Sequence, residues 1–198
     1  MAHLPFSPSS GKEWFLNYWQ KRLFQGQSLI EEGYIFMPLQ QHLLGRHHFQ
    51  SKSPIEMIHA TLTADPHRDI FATLHPKIDY SDAELTALAQ IGGRFHLIGK
   101  PSKDLLAACD YVVTENSAMA FHGYFARKPA VLFGQIDFHH IAGSVPRDGL
   151  KRAFAKVKTP RPFASYLHWF LREQAISAWA EDCGDQIIAR FRAHGWPI

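Results

Sequence analysis

The segment DYVVTENSAMAFHGYFARKPAVLFG, residues 110–134, contains all the parts of a parallel α/β unit. Its apolar runs at Tyr111–Val113 and Ala130–Phe133 are continuous rather than alternating, which is typical of strands that are covered on both faces. A polar turn and an apolar stretch at Ser117–Arg127 lie between them and predict a helix. A strand, a helix and a second strand in this order predict a right-handed crossover in a parallel sheet.

The same alternation extends towards the N-terminus. Three further apolar runs, at 34–37, 70–74 and 95–98, predict strands. The segments SPIE (53–56) and SDAE (81–84) have the serine-to-glutamate spacing of a capping box and therefore predict helix starts. We predict an α/β fold, a single Rossmann-like domain with a parallel sheet of about five strands.

Both ends of the chain are expected to be helical. Aromatic residues at helical spacing between residues 12 and 30 predict an amphipathic helix, and no strand signal follows residue 148. We therefore divide the chain into an N-terminal aromatic helical segment (1–33), a Rossmann-like core (34–147) and a C-terminal helical segment (148–198).

The amino-acid composition is that of a globular protein and does not indicate nucleic-acid binding. The 198 residues are 46% hydrophobic and 20% charged, as in a globular protein, and the net charge of +3 does not indicate a nucleic-acid surface. Cys109 and Cys183 are distant in sequence and are expected to be reduced. The start, MAHLPFSPSSGKEW, lacks the pattern of a signal peptide, and no apolar run reaches the roughly 18 residues of a transmembrane segment. We expect a cytoplasmic protein.

The segment TLHP (73–76) ends one predicted strand with a histidine and a proline. Ligands of open parallel sheets bind beyond the carboxyl ends of the strands, where this turn is expected to lie. Pro76 would stiffen the turn, His75 would offer an N–H donor, and Lys77 would add a positive charge. These groups suit a phosphate or a carboxylate. The alternative is that Pro76 only ends a strand.

A second polar turn follows the strand at 111–113. Glu115, Asn116 and Ser117 lie between that strand and the next helix, and Asn116 or Ser117 would cap the helix. The free N–H groups of a first helical turn attract anions, so this turn is also a candidate phosphate site. An ordinary helix cap would look the same, but two such turns in one small sheet favour an anion site.

Four segments occur in the same order as in one group of proteins: IFMPLQ (35–40), SPIEMI (53–58), LHP (74–76) and ENSAMAFHGYFARKPAVLFG (115–134). Together they resemble bacterial capsule polysaccharide biosynthesis proteins, which are similar to Kdo transferases and, more distantly, to bacterial sialyltransferases with a His-Pro motif. The resemblance implies the C-terminal, nucleotide-sugar-binding half of a GT-B glycosyltransferase. The implied donor is a CMP-linked sugar, such as CMP-Kdo or CMP-sialic acid, used for polysaccharide or glycolipid synthesis without a further cofactor.

The resemblance also implies roles for single residues. His75 and Ser117 would bind the phosphate of the nucleotide, with Asn116 in the position of a serine that usually precedes Ser117. Gln40 and Ser53 would lie near the other strand end of the cleft. Donors placed at the phosphate would stabilise the charge that develops on the departing nucleotide.

This chain departs from the family pattern at several points, one of which is Ala120 in place of a glycine of the helix. Thr73 replaces a lysine before the His-Pro motif, and His122, which we include among the cleft candidates, replaces a glutamate. A GT-B enzyme also has two Rossmann-like halves, whereas this chain has room for one, so a partner domain or a homo-oligomer is implied. Whether the chain is an enzyme stays open. The alternative is a non-catalytic nucleotide- or glycan-binding module, or a partner subunit of a separate catalytic chain.

His139, which follows the last predicted strand, is a candidate either for contacting the sugar or for acid–base chemistry, with Asp137 placed to orient its imidazole. The adjacent pairs His47–His48 and His139–His140 also raise the question of a metal. No carboxylate or cysteine stands at metal-ligand spacing beside either pair, so we predict no metal site.

Overall fold

A computed structural model of the chain describes residues 10–197. The first nine residues, which carry most of the segment used to argue against a signal peptide, and residue 198 lie outside the described residues. The strands form one parallel sheet in the order β3-β2-β1-β4-β5-β6, which is that of a doubly wound Rossmann-type sheet. Their bounds are β1 Tyr34–Pro38, β2 Asp69–Thr73, β3 Phe95–Leu97, β4 Tyr111–Thr114, β5 Ala130–Leu132 and β6 Gly143–Ser144.

The α/β class predicted from the sequence is confirmed, and the five predicted strands are present within one or two residues of their expected ends. The sixth strand was missed because it is two residues long and consists of glycine and serine, which carry no strand signal. Gly143 is required there, since a Cβ at this position would lie 2.1 Å from the backbone oxygen of Ala153.

Helices cover both faces of the sheet and form the two ends of the described chain. Their bounds are α1 Ser10–Phe24, α2 Pro54–Ala64, α3 Asp82–Ala89, α4 Ser102–Ala108, α5 Ala118–Phe125, α6 Val145–Asp148, α7 Leu150–Ala155, α8 Phe163–His168 and α9 Cys183–Ala193. Short 3-10 and π-helical turns at Lys156–Lys158 and Trp169–Gln174 follow α7 and α8. Both predicted capping boxes are formed, by Ser53 with Glu56 and by Ser81 with Glu84.

The alternation of side chains along each strand divides the core into two layers. Tyr34 and Phe36 of β1 enter one buried cluster, whereas Ile35 and Met37 enter the other. This arrangement explains why the strands are continuous apolar runs. Leu16 of α1 is fully buried in the first layer, so the N-terminal helix shares a core with the sheet.

Candidate functional site

The strand order of the sheet reverses between β1 and β4, because β2 lies beyond β1 and β5 lies beyond β4. At such a point the loops that leave the two strands diverge and open a crevice at the carboxyl edge. Here β1 ends at Pro38 and β4 ends at Thr114, and the Thr114 hydroxyl donates to the Pro38 carbonyl across the gap at 3.3 Å. The fold therefore fixes the place where a ligand is expected.

A cavity of about 230 Å³ opens at this point. Three residues predicted from the sequence line it together, namely Gln40 after β1, His75 after β2 and Asn116 after β4. Reasoning from the sequence missed the rest of the lining, which comes mainly from the loop between β1 and α2: Gln41, His47, Phe49, Gln50 and Ile78.

The loop between β1 and α2 is held over the sheet edge by backbone contacts. The Gln135 N–H donates to the Phe49 carbonyl at 2.9 Å, and Gln50 forms an isolated antiparallel bridge with Gly134. Gly134 itself is packed on the turn after β4, since a Cβ at this residue would lie 2.8 Å from the backbone carbonyl oxygen of Glu115. These long-range contacts have no local sequence signal, which is why the loop was not predicted to line the site.

His75 is exposed at the mouth of this cavity and its ring has a defined orientation. Its backbone N–H donates to the Tyr80 hydroxyl at 2.9 Å, and the Lys77 N–H donates to Nδ1 of the ring at 3.3 Å. Because Nδ1 accepts this hydrogen bond, the proton of the neutral imidazole lies on Nε2. His75 therefore offers one N–H donor at the site.

The other two residues of the His-Pro turn lie outside the cavity. Pro76 is exposed and lines a neighbouring depression of about 450 Å³ beside β3 and the start of α4. Lys77 is exposed and does not line the switch-point cavity. Among the described residues, the cavity is lined by amide, imidazole, aromatic and aliphatic groups and by neither lysine nor arginine.

Glu115 lies behind the cavity wall with only 2% of its surface exposed. The Gln50 side-chain N–H donates to Oε2 of Glu115 at 2.6 Å, and the Gln50 oxygen in turn accepts from the His47 N–H at 2.6 Å. Burial raises the pKa of Glu115 to about 8, so the carboxyl is largely protonated at neutral pH. Oε1 of Glu115 and Oδ1 of Asn116 are both buried and have no hydrogen-bond partner among residues 10–197.

Ser117 is the N-cap of α5, and it is one of the two residues, Asn116 or Ser117, that the sequence predicted for this position. Its hydroxyl accepts from the Met119 N–H at 3.3 Å, and its own N–H donates to Thr114 Oγ1 at 3.4 Å. The side chain is mostly buried at 8% exposure. The first turn of α5 therefore begins directly beside the turn that carries Glu115 and Asn116.

Two of the cleft candidates are placed elsewhere. The Ser53 hydroxyl is the acceptor in the cap of α2, where it binds the Glu56 N–H, and Ser53 does not line the switch-point cavity. His122 lies on the outward face of α5 and lines a separate groove of about 810 Å³ with aromatic residues of α1, including Trp14 and Trp19.

The two candidate catalytic residues follow β5 but do not line the cavity. Nδ1 of His139 faces the Ile136 carbonyl, and the ring stacks on His140 with 4.4 Å between the ring centroids. His140 in turn contacts the Tyr166 hydroxyl at 3.3 Å. The orienting partner of His139 is therefore a backbone carbonyl, and the Asp137 side chain is exposed.

Within the described part of the chain, no three histidine, cysteine, aspartate or glutamate side chains come together as metal ligands. None of the helices described is both long enough and apolar enough to cross a lipid bilayer.

Neither a protein-family profile nor a curated protein matches the sequence. Among solved structures, the chain is similar to KpsC of Thermosulfurimonas dismutans described as a beta Kdo 2,7 transferase, with 16% identity and a TM-score of 0.49 over 76% of this chain and 53% of the other. It is also similar to KpsC of the same organism described as a beta Kdo 2,4 transferase, with 15% identity and a TM-score of 0.43 over 81% and 55% of the two chains. The chain thus spans about half the length of the structures that it matches.

Proposed function

We propose that the chain is a glycosyltransferase-like protein that binds a nucleotide sugar, of the CMP-linked kind, in the cavity between β1 and β4. One observation carries the proposal: His75 and Asn116, from two different strand ends, line one cavity at the switch point of a Rossmann-type sheet. Ligands of such sheets bind at this point.

The charges near the cavity support the binding of a phosphate at its rim. Nε2 of His75 can donate a hydrogen bond, and the first turn of α5 carries the partial positive charge of a helix N-terminus. Lys77 is exposed next to the His-Pro turn and supplies the only full positive charge of that turn. The amide-rich interior of the cavity suits the uncharged parts of the ligand, which are the ribose and the sugar.

A sugar transfer would also need a general base, and His139 with Asp137 stays our candidate for that role. The first supporting feature is position, because both residues follow β5, the neighbour of β4 in the sheet. The second is the backbone carbonyl of Ile136, which orients the His139 ring as a base needs to be oriented. In an assay with donor and acceptor, His139→Ala should abolish turnover and leave donor binding intact.

The alternative function is a nucleotide- or glycan-binding module that works without catalysis or beside a separate catalytic chain. It is favoured by the position of His139 and Asp137 outside the cavity. A module would bind CMP without releasing it from a CMP-sugar, whether or not an acceptor is present.

The test of nucleotide binding is thermal unfolding with CMP, CDP, UDP and GDP, measured on the wild type and on His75→Ala. A ligand at a hundred times its dissociation constant adds about 2.7 kcal/mol to the free energy of unfolding and raises the midpoint. We expect CMP to raise the midpoint of the wild type and to raise it much less in the variant. His59→Ala, an exposed histidine of α2, is the matched control and should behave like the wild type. The proposal is abandoned if no nucleotide shifts the wild type.

A further inference from the structure

The groove of about 810 Å³ beside α1 has no part in the proposed function. We call it the α1–α5 groove, because α1 and α5 form two of its walls; the third wall is formed by α8, the π-helical turn and the residues that follow as far as Ser177. Small-molecule sites in proteins have volumes of about 300–1,000 Å³. The groove is therefore large enough for a ligand of several rings.

The α1 wall of the groove is aromatic and reaches solvent. Trp14, Phe15, Tyr18 and Trp19 all line it, at helical spacing. The rings of Trp14 and Tyr18 stack with 5.5 Å between their centroids, and the two side chains are 68% and 45% exposed. Large apolar side chains that stay exposed around a groove mark a binding surface, and stacked rings offer a ligand a flat apolar face.

The charged groups of the groove determine the sign of the ligand. Arg172 lines it, is exposed, and makes no hydrogen bond or ion pair within the described residues. His122 and His168 also line it, whereas no aspartate or glutamate among residues 10–197 does. Exposed aromatic rings alone would attract a cation, but Arg172 disfavours one. A guanidinium binds a carboxylate through two parallel hydrogen bonds, so an acidic ligand is favoured.

The charge and the concave shape of the groove disfavour macromolecular occupants. In a symmetric dimer the same surface meets itself, which would bring two positive grooves together with no lining carboxylate to pair with Arg172. A lipid surface contacts protruding helix faces, whereas Phe15 and Trp19 are partly buried inside the groove. A nucleic acid needs a stripe of basic residues, and Arg172 is the only lysine or arginine among the described lining residues.

We propose that the α1–α5 groove binds an acidic glycan, with sugar rings packed on Trp14 and Tyr18 and a carboxylate paired with Arg172. One face of a pyranose ring is rich in C–H groups and packs flat on an aromatic ring. The hydroxyl groups at its edge can exchange hydrogen bonds with the imidazoles of His122 and His168.

The position of the groove gives this glycan the role of acceptor. His122 and Phe121 lie on α5, the helix that begins at the turn carrying Asn116, which lines the switch-point cavity. A glycan in the groove would therefore lie along the helix that starts at the candidate donor site. The inference rests on the proposed function for this acceptor role, whereas binding of the glycan is argued from the groove itself.

The proposal is tested by calorimetric titration of trigalacturonate and of maltotriose into the wild type at pH 7. Both are chains of three sugars, and only the first carries carboxylates. We expect trigalacturonate to bind roughly tenfold more tightly than maltotriose, because it pairs with Arg172. Trp14→Ala should weaken trigalacturonate binding roughly tenfold, and Arg172→Gln should reduce its affinity to that of maltotriose.

Two exposed residues outside the groove provide matched controls. Trp179→Ala removes a tryptophan that is 97% exposed, and Arg22→Gln removes an exposed arginine of α1; neither substitution should change the affinity. Trp14 and Arg172 are themselves exposed, so their substitutions leave the core intact. Equal affinities of the wild type for the two glycans, or unchanged binding in both groove variants, would overturn the proposal.

The outcomes distinguish this inference from the proposed function. If CMP raises the unfolding midpoint but trigalacturonate does not bind, only the inference is overturned. If trigalacturonate binds and both groove variants weaken it, while no nucleotide shifts the midpoint, the glycan site stands and the nucleotide proposal fails. If Trp14→Ala, and not His75→Ala, abolishes CMP binding, the groove holds the nucleotide and the inference is overturned. It is also overturned if sedimentation shows a dimer that Trp14→Ala dissociates and no glycan binds.

Discussion

At the scale of the residue, Glu115 is the group whose environment differs most from what its sequence position indicates. The sequence placed it in a polar turn, where a carboxylate is normally solvated and ionised. The fold instead covers it with Gln50 from the β1–α2 loop, which is distant in sequence. Burial of this kind disfavours the charged form and raises the pKa of the carboxyl.

Glu115 is therefore expected to lower stability as the pH rises. Its pKa is about 8 in the folded protein and about 4.5 in the unfolded chain, so between these values the unfolded chain has lost a proton that the folded protein keeps. The free energy of unfolding should fall from pH 5 to pH 8 by roughly 3–4 kcal/mol from this group and level off above pH 8. Glu115→Gln should lack this decrease.

The measurement is urea unfolding of the wild type and Glu115→Gln at several pH values between 5 and 9. The difference between the two proteins should widen in favour of the variant as the pH rises, and the exposed Glu181→Gln should follow the wild type. Parallel pH profiles for the wild type and Glu115→Gln would mean that Glu115 is ionised in the folded protein.

At the scale of the element, the sequence predicted the helices and strands whose signals lie within a few consecutive residues. The capping serines 53 and 81 and the continuous apolar runs each carry their signal within a few residues, and the structure has the corresponding helices and strands. The strand β6 and the β1–α2 loop carry no such signal. Their positions depend on contacts with α7 and with the loop after β5, so they could not be read from a local pattern.

The strand β6 offers an element-scale prediction at Gly143. A Cβ there would lie 2.1 Å from the Ala153 carbonyl oxygen, so Gly143→Ala has to separate β6 from α7. We expect a loss of roughly 2–3 kcal/mol in the free energy of unfolding, measured from the urea midpoint. Gly99→Ala is the matched control, because a Cβ at Gly99 meets nothing within 4 Å and its substitution should change stability by no more than about 0.5 kcal/mol. Equal midpoints for the two variants would show that β6 is not packed on α7 in this way.

At the scale of the whole molecule, the open question is whether the helical ends are separate from the sheet. The sequence suggested three segments, 1–33, 34–147 and 148–198. Leu16 of α1 and Tyr166 of α8 are fully buried in one layer with Phe36 of β1. A shared core of this kind predicts that the segments unfold together.

The positions of the tryptophans make this prediction measurable. All five, Trp14, Trp19, Trp169, Trp179 and Trp196, lie in the two end segments, so their fluorescence reports the ends, whereas far-UV circular dichroism reports the whole chain. The two signals should change at the same urea concentration. Leu16→Ala should lower the free energy of unfolding by roughly 2–5 kcal/mol, because it leaves a cavity in the shared layer. The fluorescence and dichroism midpoints should therefore move to lower urea by the same amount.

Leu85→Ala in α3 is the matched control, since that leucine is 40% exposed and should cost much less. If α1 were an independent segment, Leu16→Ala would shift the fluorescence transition to lower urea and leave most of the dichroism transition in place. Nucleotide binding sharpens the distinction, because CMP bound between β1 and β4 should raise both transitions together only if the ends and the sheet are one cooperative unit.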